Sequence, residues 1–258
     1  IRKPMLITGA SVRSQPSYQR VLSLLDPWQP VILTPVPSHA SVQWVTQAAQ
    51  VARDHGVDAF IAYGGGSCCD TAQATALLQA AHNYEERGMR SLLFTSALYA
   101  ETEEGHITSR IGISADALLY GESDDLHAWI NREHRKKKID CVFVDEAQFL
   151  TKPQVWQLAR VADRLGIPVL CYGLRTDFRG ELFPGSAELL AIADNLREIR
   201  TICHCGKKAT MVVRFDSTGK AVTAGDQVQI GGNETYLSLC RKHYRAVVAD
   251  DNSPELPI

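Results

Sequence analysis

The sequence lacks any apolar run approaching the ~18 residues of a membrane-crossing helix, and no secretory pattern opens it. It also lacks a strong charge of either sign. A formal net charge of −2 leaves no electrostatic footprint for nucleic acid, so neither nucleic acid nor membrane is expected as a partner. The one basic cluster, Arg135 to Lys138, closes an expected helix, where cations suit the negative terminus. An even set of cysteines is missing too. Seven cannot all pair, and Cys141 and Cys171 sit inside apolar segments, so a reduced, cytoplasmic protein is expected rather than a disulfide scaffold. Repeats and low-complexity linkers are absent, and residues 251–258 read as a disordered tail.

What is present is a regular alternation of short apolar strands and amphipathic helices. PMLITG (4–9), PVILTPV (30–36) and AFIAY (59–63) read as strands, separated by helices over SYQRVLSLL and Ser41 to Arg53. After a helix continuing to about Arg87, strands are expected at 91–98, 139–150 and 167–174, with helices over Asp124 to Lys138 and PQVWQLARVADRLG. Residues 99–116 are polar and read as loop. This rhythm predicts an α/β protein with a parallel sheet and ligands at the strand C-termini.

Between the strand at 59–63 and the following helix stand Gly64, Gly65, Gly66 and Ser67. Glycines at a strand-to-helix turn let the backbone approach a ligand, and the helix start, expected near Asp70, favours an anion. Cys68 and Cys69 follow, where a helix N-terminus can lower a thiol pKa. The stretch GVDAFIAYGGGSCCDTAQA resembles the N-terminal nucleotide-binding segment of the iron-dependent alcohol dehydrogenase family, over residues 1–74. That resemblance implies that Gly64, Gly65, Gly66 and Ser67 cradle the pyrophosphate of NAD(P), with Asp70 at the following helix. The family's iron-binding helical domain has no counterpart here.

Two further patterns carry chemistry. Cys203-x-Cys205 and Cys240-x-x-His243 supply four soft ligands for a closed tetrahedral zinc site, stapling a lobe too small to hold itself by its core. The segments 209–215 and 227–230 between the two halves are expected to pair as strands. Asp145 and Glu146 stand at the C-terminal end of an apolar strand, which suits a metal ligand and a base for phosphoryl transfer.

These features fall within NYEERGMR, ITSRIGIS, VDEAQFL, VLCYGLRTDFRGELFPGS, TICHCGKKA and IGGNETY…CRKHY. Residues 75–250 thereby resemble the zinc-containing (type II) bacterial thymidine kinases. The resemblance implies that Asp145 holds Mg²⁺ with ATP and that Glu146 is the base on the sugar 5′-hydroxyl. Phe149, Leu174, Phe178 and Phe183 would line the base pocket, Gln229 and Ile230 would contribute backbone near the base, and Tyr236 would meet the sugar. It further implies thymidine and ATP as substrates and a homotetramer. The chain departs from the family pattern where its Gly-Lys-Ser/Thr phosphate loop would stand. Ala72, Gln73 and Ala74 occupy those places, and Glu101 replaces an expected Arg.

The architecture expected is therefore a P-loop-kinase-like parallel-sheet core (75–200). Extra Rossmann-like βα units (1–74) precede it, and a zinc-stapled lobe carrying the nucleoside lid (201–250) follows. The activity expected is thymidine kinase. A non-catalytic nucleotide- or NAD-binding module is the second reading, and an iron- and NAD-dependent dehydrogenase the third.

Overall fold

The computed structural model describes residues 1–33, 35–36, 42–64, 66–99, 101–103, 106–108, 117–227 and 235–249. The chain divides into two compact units, one of residues 1–73, 176–181 and 197–258, the other of residues 74–175 and 182–196.

The first unit opens with strand β1 (Pro4–Thr8), a short helix α1 (Ala10–Arg13) and helix α2 (Pro16–Leu25). Strand β2 follows (Val31–Ile32), then helix α3 (Val42–Asp54) and strand β3 (Ala59–Tyr63). β2 is shorter than the expected strand, and Val36 then meets Gly9 in an isolated parallel bridge, its N–H donating to the Thr8 carbonyl at 2.8 Å. β1 pairs in parallel with both β2 and β3. The alternation along β1 sorts the core: Met5 and Ile7 pack with Ala52 of α3 on one face, and Leu6 packs with Tyr18 and Val21 of α2 on the other. This is the two-faced burial that a parallel sheet requires.

Helix α4 runs without a break from Gly66 to Glu85, so it begins before the expected Asp70 and crosses from the first unit into the second at Gln73–Ala74. In the second unit come β4 (Ser91–Ser96), β5 (Glu101–Glu103), β6 (His106–Thr108) and β7 (Leu118–Tyr120). Helix α5 (Leu126–Lys136), β8 (Cys141–Val144), α6 (Lys152–Leu165), β9 (Val169–Cys171) and α7 (Pro184–Ile192) complete it. The order β7-β4-β8-β9 is parallel throughout. Along β8, Cys141 and Phe143 cluster with Leu77 and Ala81 of α4. Val142 and Val144 cluster instead with Ile130 of α5 and with Leu158 and Val161 of α6. The parallel strands thus form two sheets, one per unit. Part of the stretch expected to be loop is instead an antiparallel pair, β5 with β6.

The helix ends follow their local chemistry. Thr151 and Gln154 form a reciprocal capping box at the start of α6, and Gly166 closes it in the left-handed conformation. The basic cluster behaves as a helix end. Arg90 donates to the carbonyls of Glu133 and Lys137, and Lys138 pairs with Asp140 at 2.7 Å.

The chain then returns to the first unit. Strand β10 (Arg200–Ile202) joins β3 in parallel, and β11 (Lys208–Ala209) turns back against it. Strands β12 (Met211–Phe215), β13 (Ala221–Val222) and β14 (Thr235–Leu239) form a three-stranded antiparallel sheet, and helix α8 (Arg241–Ala249) packs on it. The partners of β12 are therefore β13 and β14. Of the expected partner 227–230, only Gln227 lies among the described residues.

Candidate functional site

Asp145 and Glu146 leave the C-terminal end of β8, as the sequence implied. The Asp145 N–H donates to the Phe94 carbonyl of the neighbouring strand at 2.8 Å, and its side chain is buried. Glu146 adopts φ 52°, ψ 37°, a left-handed backbone that costs a β-carbon-bearing residue of order 1–3 kcal/mol. Two buried groups hold it there. The Tyr120 hydroxyl donates to the Glu146 carbonyl at 2.8 Å, and the Gln148 side-chain amide donates to the Glu146 carboxylate. Burial first, then the Glu146 charge, pushes the Tyr120 hydroxyl far above the ordinary phenol range, so it remains a donor.

Gln148 works at both ends, because its amide oxygen accepts from the Leu174 N–H at 3.1 Å. The chain at Gly173 lies so close that a Cβ there would stand 2.5 Å from that oxygen. A Cβ at Gly185 would stand 2.5 Å from the Ala147 carbonyl oxygen, so glycine is sterically required there as well. Phe149 and Phe183 meet edge-to-face with centroids 5.8 Å apart, and Ser186 donates to the Leu174 carbonyl at 2.6 Å. Asp145, Glu146, Phe149, Leu174 and Phe183 thus come together in one unit. Gln148 and Tyr120 escaped the sequence reading. Gln148 lies inside the very DEAQF motif that drew attention to its neighbours, whereas nothing in the sequence marks Tyr120.

The other unit holds the remaining expected residues. Cys203 and Cys205 lie on the turn between β10 and β11, closed by the Cys203 N–H on the Lys207 carbonyl at 2.8 Å and by Gly206 at φ 80°. Cys240 follows the end of β14, and His243 stands in the first turn of α8. His243 Nδ1 lies 3.3 Å from Cys203 Sγ and 3.4 Å from Cys240 Sγ, and Cys205 Sγ lies 3.9 Å from Cys240 Sγ. Four donors on a tetrahedron around Zn²⁺, with bonds of about 2.0–2.3 Å, would be spaced by about 3.5–3.8 Å. All four donor atoms lie within 4.8 Å of one another, so both the donor set and its spacing suit that ion. Burial pushes the Cys203 thiol up to about 11. Cys240 is buried as well, yet hydrogen bonds from His243, Cys203, Cys205 and Lys242 outweigh burial and leave its thiol below the ordinary value. His204 stacks on His243 at 4.2 Å and stands outside the four-donor group.

Phe178 and Tyr236 belong to this same unit. Phe178 is buried, and Tyr236 stands on β14 opposite Arg214. Gln229 and Ile230 lie outside the described residues.

At the glycine turn, Gly64 takes φ +151°, and a Cβ there would fall 2.6 Å from Cys68 Sγ. Cys68 is therefore a core thiol packed under the turn, and it belongs to the cluster around Met5 and Ile7. Gly66 and Ser67 open α4, with Asp70 in the helix and Gly65 outside the described residues. Residues 72–74, aligned with a phosphate loop, lie inside α4 with Gln73 and Ala74 buried. Their backbone N–H groups belong to the helix ladder and cannot wrap a phosphate.

A model of the thymidine kinase family matches residues 67–244, and one of iron-containing alcohol dehydrogenase matches residues 1–99. A thymidine kinase of Ruegeria pomeroyi is 57% identical over 188 residues, covering 73% of this chain and 95% of that protein. A thymidine kinase of Rhizobium meliloti is 60% identical over 174 residues, covering 67% of this chain and 89% of that protein. A third, from Agrobacterium fabrum, is 57% identical over 182 residues, covering 70% and 94%.

Proposed function

The chain belongs to the thymidine kinase family, and on that premise we propose that it transfers the γ-phosphate of ATP to the 5′-hydroxyl of thymidine. The observation that carries this reading is Glu146, a carboxylate on a left-handed backbone at the end of β8, oriented by Gln148 and anchored by Tyr120. The Glu146 carboxylate takes the proton of the 5′-hydroxyl. The freed oxygen bonds to the γ-phosphorus as the bond to the β-phosphate oxygen breaks, releasing ADP. Asp145 offers a hard oxygen of the kind Mg²⁺ prefers, and that ion, when bound, neutralises charge on the phosphates. Phe149, Leu174, Phe178 and Phe183 take the base, with Gln229 and Ile230, and Tyr236 takes the sugar. The backbone N–H groups of Gly64, Gly65, Gly66 and Ser67 take the phosphates, with Asp70 at the helix that follows.

Cys203, Cys205, Cys240 and His243 hold a structural zinc ion in this reading, supported by their donor chemistry and spacing. The cytoplasm and a homotetramer are the expected setting and assembly. Among the described residues, no helix is long and apolar enough to cross a membrane.

A second reading, dinucleotide binding at the Gly64–Ser67 turn, is favoured by the dehydrogenase match over residues 1–99. One experiment separates the two. Incubation with thymidine and Mg-ATP should give thymidine 5′-monophosphate and ADP in equal amounts, identified by chromatography and mass. Absence of the monophosphate, with saturable binding of NAD instead, would contradict kinase function and favour the second reading.

A further inference from the structure

Arg214 occupies an unusual place for a guanidinium. It lies within β12 and is only 4% exposed, where an apolar side chain would fill the core without burying a charge. Two contacts and a strand register define its surroundings. Its Cζ stands 4.0 Å over the centre of the Phe178 ring. Its Nη1 donates to the Asp226 carbonyl at 3.3 Å, where the backbone comes close because Gly225, at φ +121°, carries no side chain. In the β12–β14 ladder it faces Tyr236 directly, and opposed residues of an antiparallel pair share a face. Phe178 is held from its backbone as well, since the Tyr244 hydroxyl donates to its carbonyl at 2.9 Å.

We infer that Arg214 is a positioning residue for nucleoside binding, setting Phe178, the Asp226 backbone and Tyr236 relative to one another. The inference rests on the assignment of Phe178 to the base and Tyr236 to the sugar. A flat guanidinium suits the task because its face covers an aromatic ring while its edge donates to a carbonyl. A lysine in its place would keep the charge but lose the flat face and the fork of donors. The predicted consequence is selective: loss of Arg214 weakens the grip on a pyrimidine nucleoside and leaves the nucleotide donor unaffected.

The test is calorimetric titration of wild type, Arg214→Lys and Arg214→Met with thymidine and, separately, with Mg-ATP, alongside zinc content and thermal midpoint. Arg214→Met should bind thymidine about tenfold more weakly, with ATP affinity and zinc content retained. Arg214→Lys should recover part of the loss. Should Arg214→Met fail to fold, Arg214→Lys is read in the Phe178→Leu background, where it should add little further loss. Three results overturn the inference: unchanged thymidine affinity in a folded Arg214→Met variant, parallel loss of thymidine, ATP and zinc, or full additivity with Phe178→Leu. If wild type itself binds no thymidine, the nucleoside assignment of Phe178 and Tyr236 falls, and the role of Arg214 with it.

Discussion

Glu146 combines a strained backbone with, in the proposed function, the role of base. Its left-handed backbone would be relaxed by glycine, so Glu146→Gly should be more stable than Glu146→Ala by about 1 kcal/mol while both lose phosphoryl transfer. Denaturant midpoints of the two variants decide it, and equal midpoints would mean that the backbone there is unstrained. Tyr120→Phe removes the donor to the part-buried Glu146 carbonyl, at a cost of about 1 kcal/mol in the same measurement. Gly185→Ala should be worse than an ordinary surface change, because its methyl would meet three carbonyl oxygens between 2.5 and 2.9 Å away. At this scale the sequence is informative where residue types are rare in combination: two acids closing an apolar strand, and three thiols with one imidazole. It is silent on Gln148, Tyr120 and Arg214, whose roles come from orientation and from partners distant in sequence, as Phe178 is from Arg214. Residue type alone does not encode such contacts.

Among the elements, the β10–β11 turn and the β14–α8 junction depend on each other through the Cys/His cluster. Their hydrophobic cluster is small, comprising Cys203, Ala209, Val213, Phe215, Leu239, Cys240 and Tyr244 with partly buried neighbours. Purified protein should contain about one zinc per chain, and Cys203→Ser should lower that content and loosen the lobe, read by elemental analysis and hydrogen exchange over residues 200–249. Full protection without metal would contradict a stapling role. Because zinc binding needs deprotonated thiols and a neutral imidazole, metal should be lost progressively as pH falls. The strands β1, β3 and β9 are legible from apolar runs bounded by glycines and prolines, and β8 from an apolar run bounded by charged residues. The start of α4 precedes the expected Asp70, since the helix opens at Gly66. The β5–β6 pair escapes the sequence reading because its residues lack the apolar alternation that marks a half-buried strand.

For the whole molecule, the alternation of strands and helices points to α/β, but not to two separate parallel sheets. Periodicity reports which faces of an element are buried, not which strand each strand pairs with. The joining of β10 to β3, far apart along the chain, is therefore not readable in advance. The two family matches run parallel to the order of the elements: one covers the opening βα units and reaches β4, and the other begins at the start of α4. Catalysis, in the proposed function, belongs to the machinery around Glu146 whatever the first βα units contribute. The most direct test is the turnover number for thymidine phosphorylation at saturating Mg-ATP, compared between wild type and Glu146→Gln. Clear wild-type turnover is expected, with a loss of roughly 10²–10⁴-fold in the variant and thymidine affinity preserved. Wild-type turnover no higher than that of Glu146→Gln would contradict the assignment.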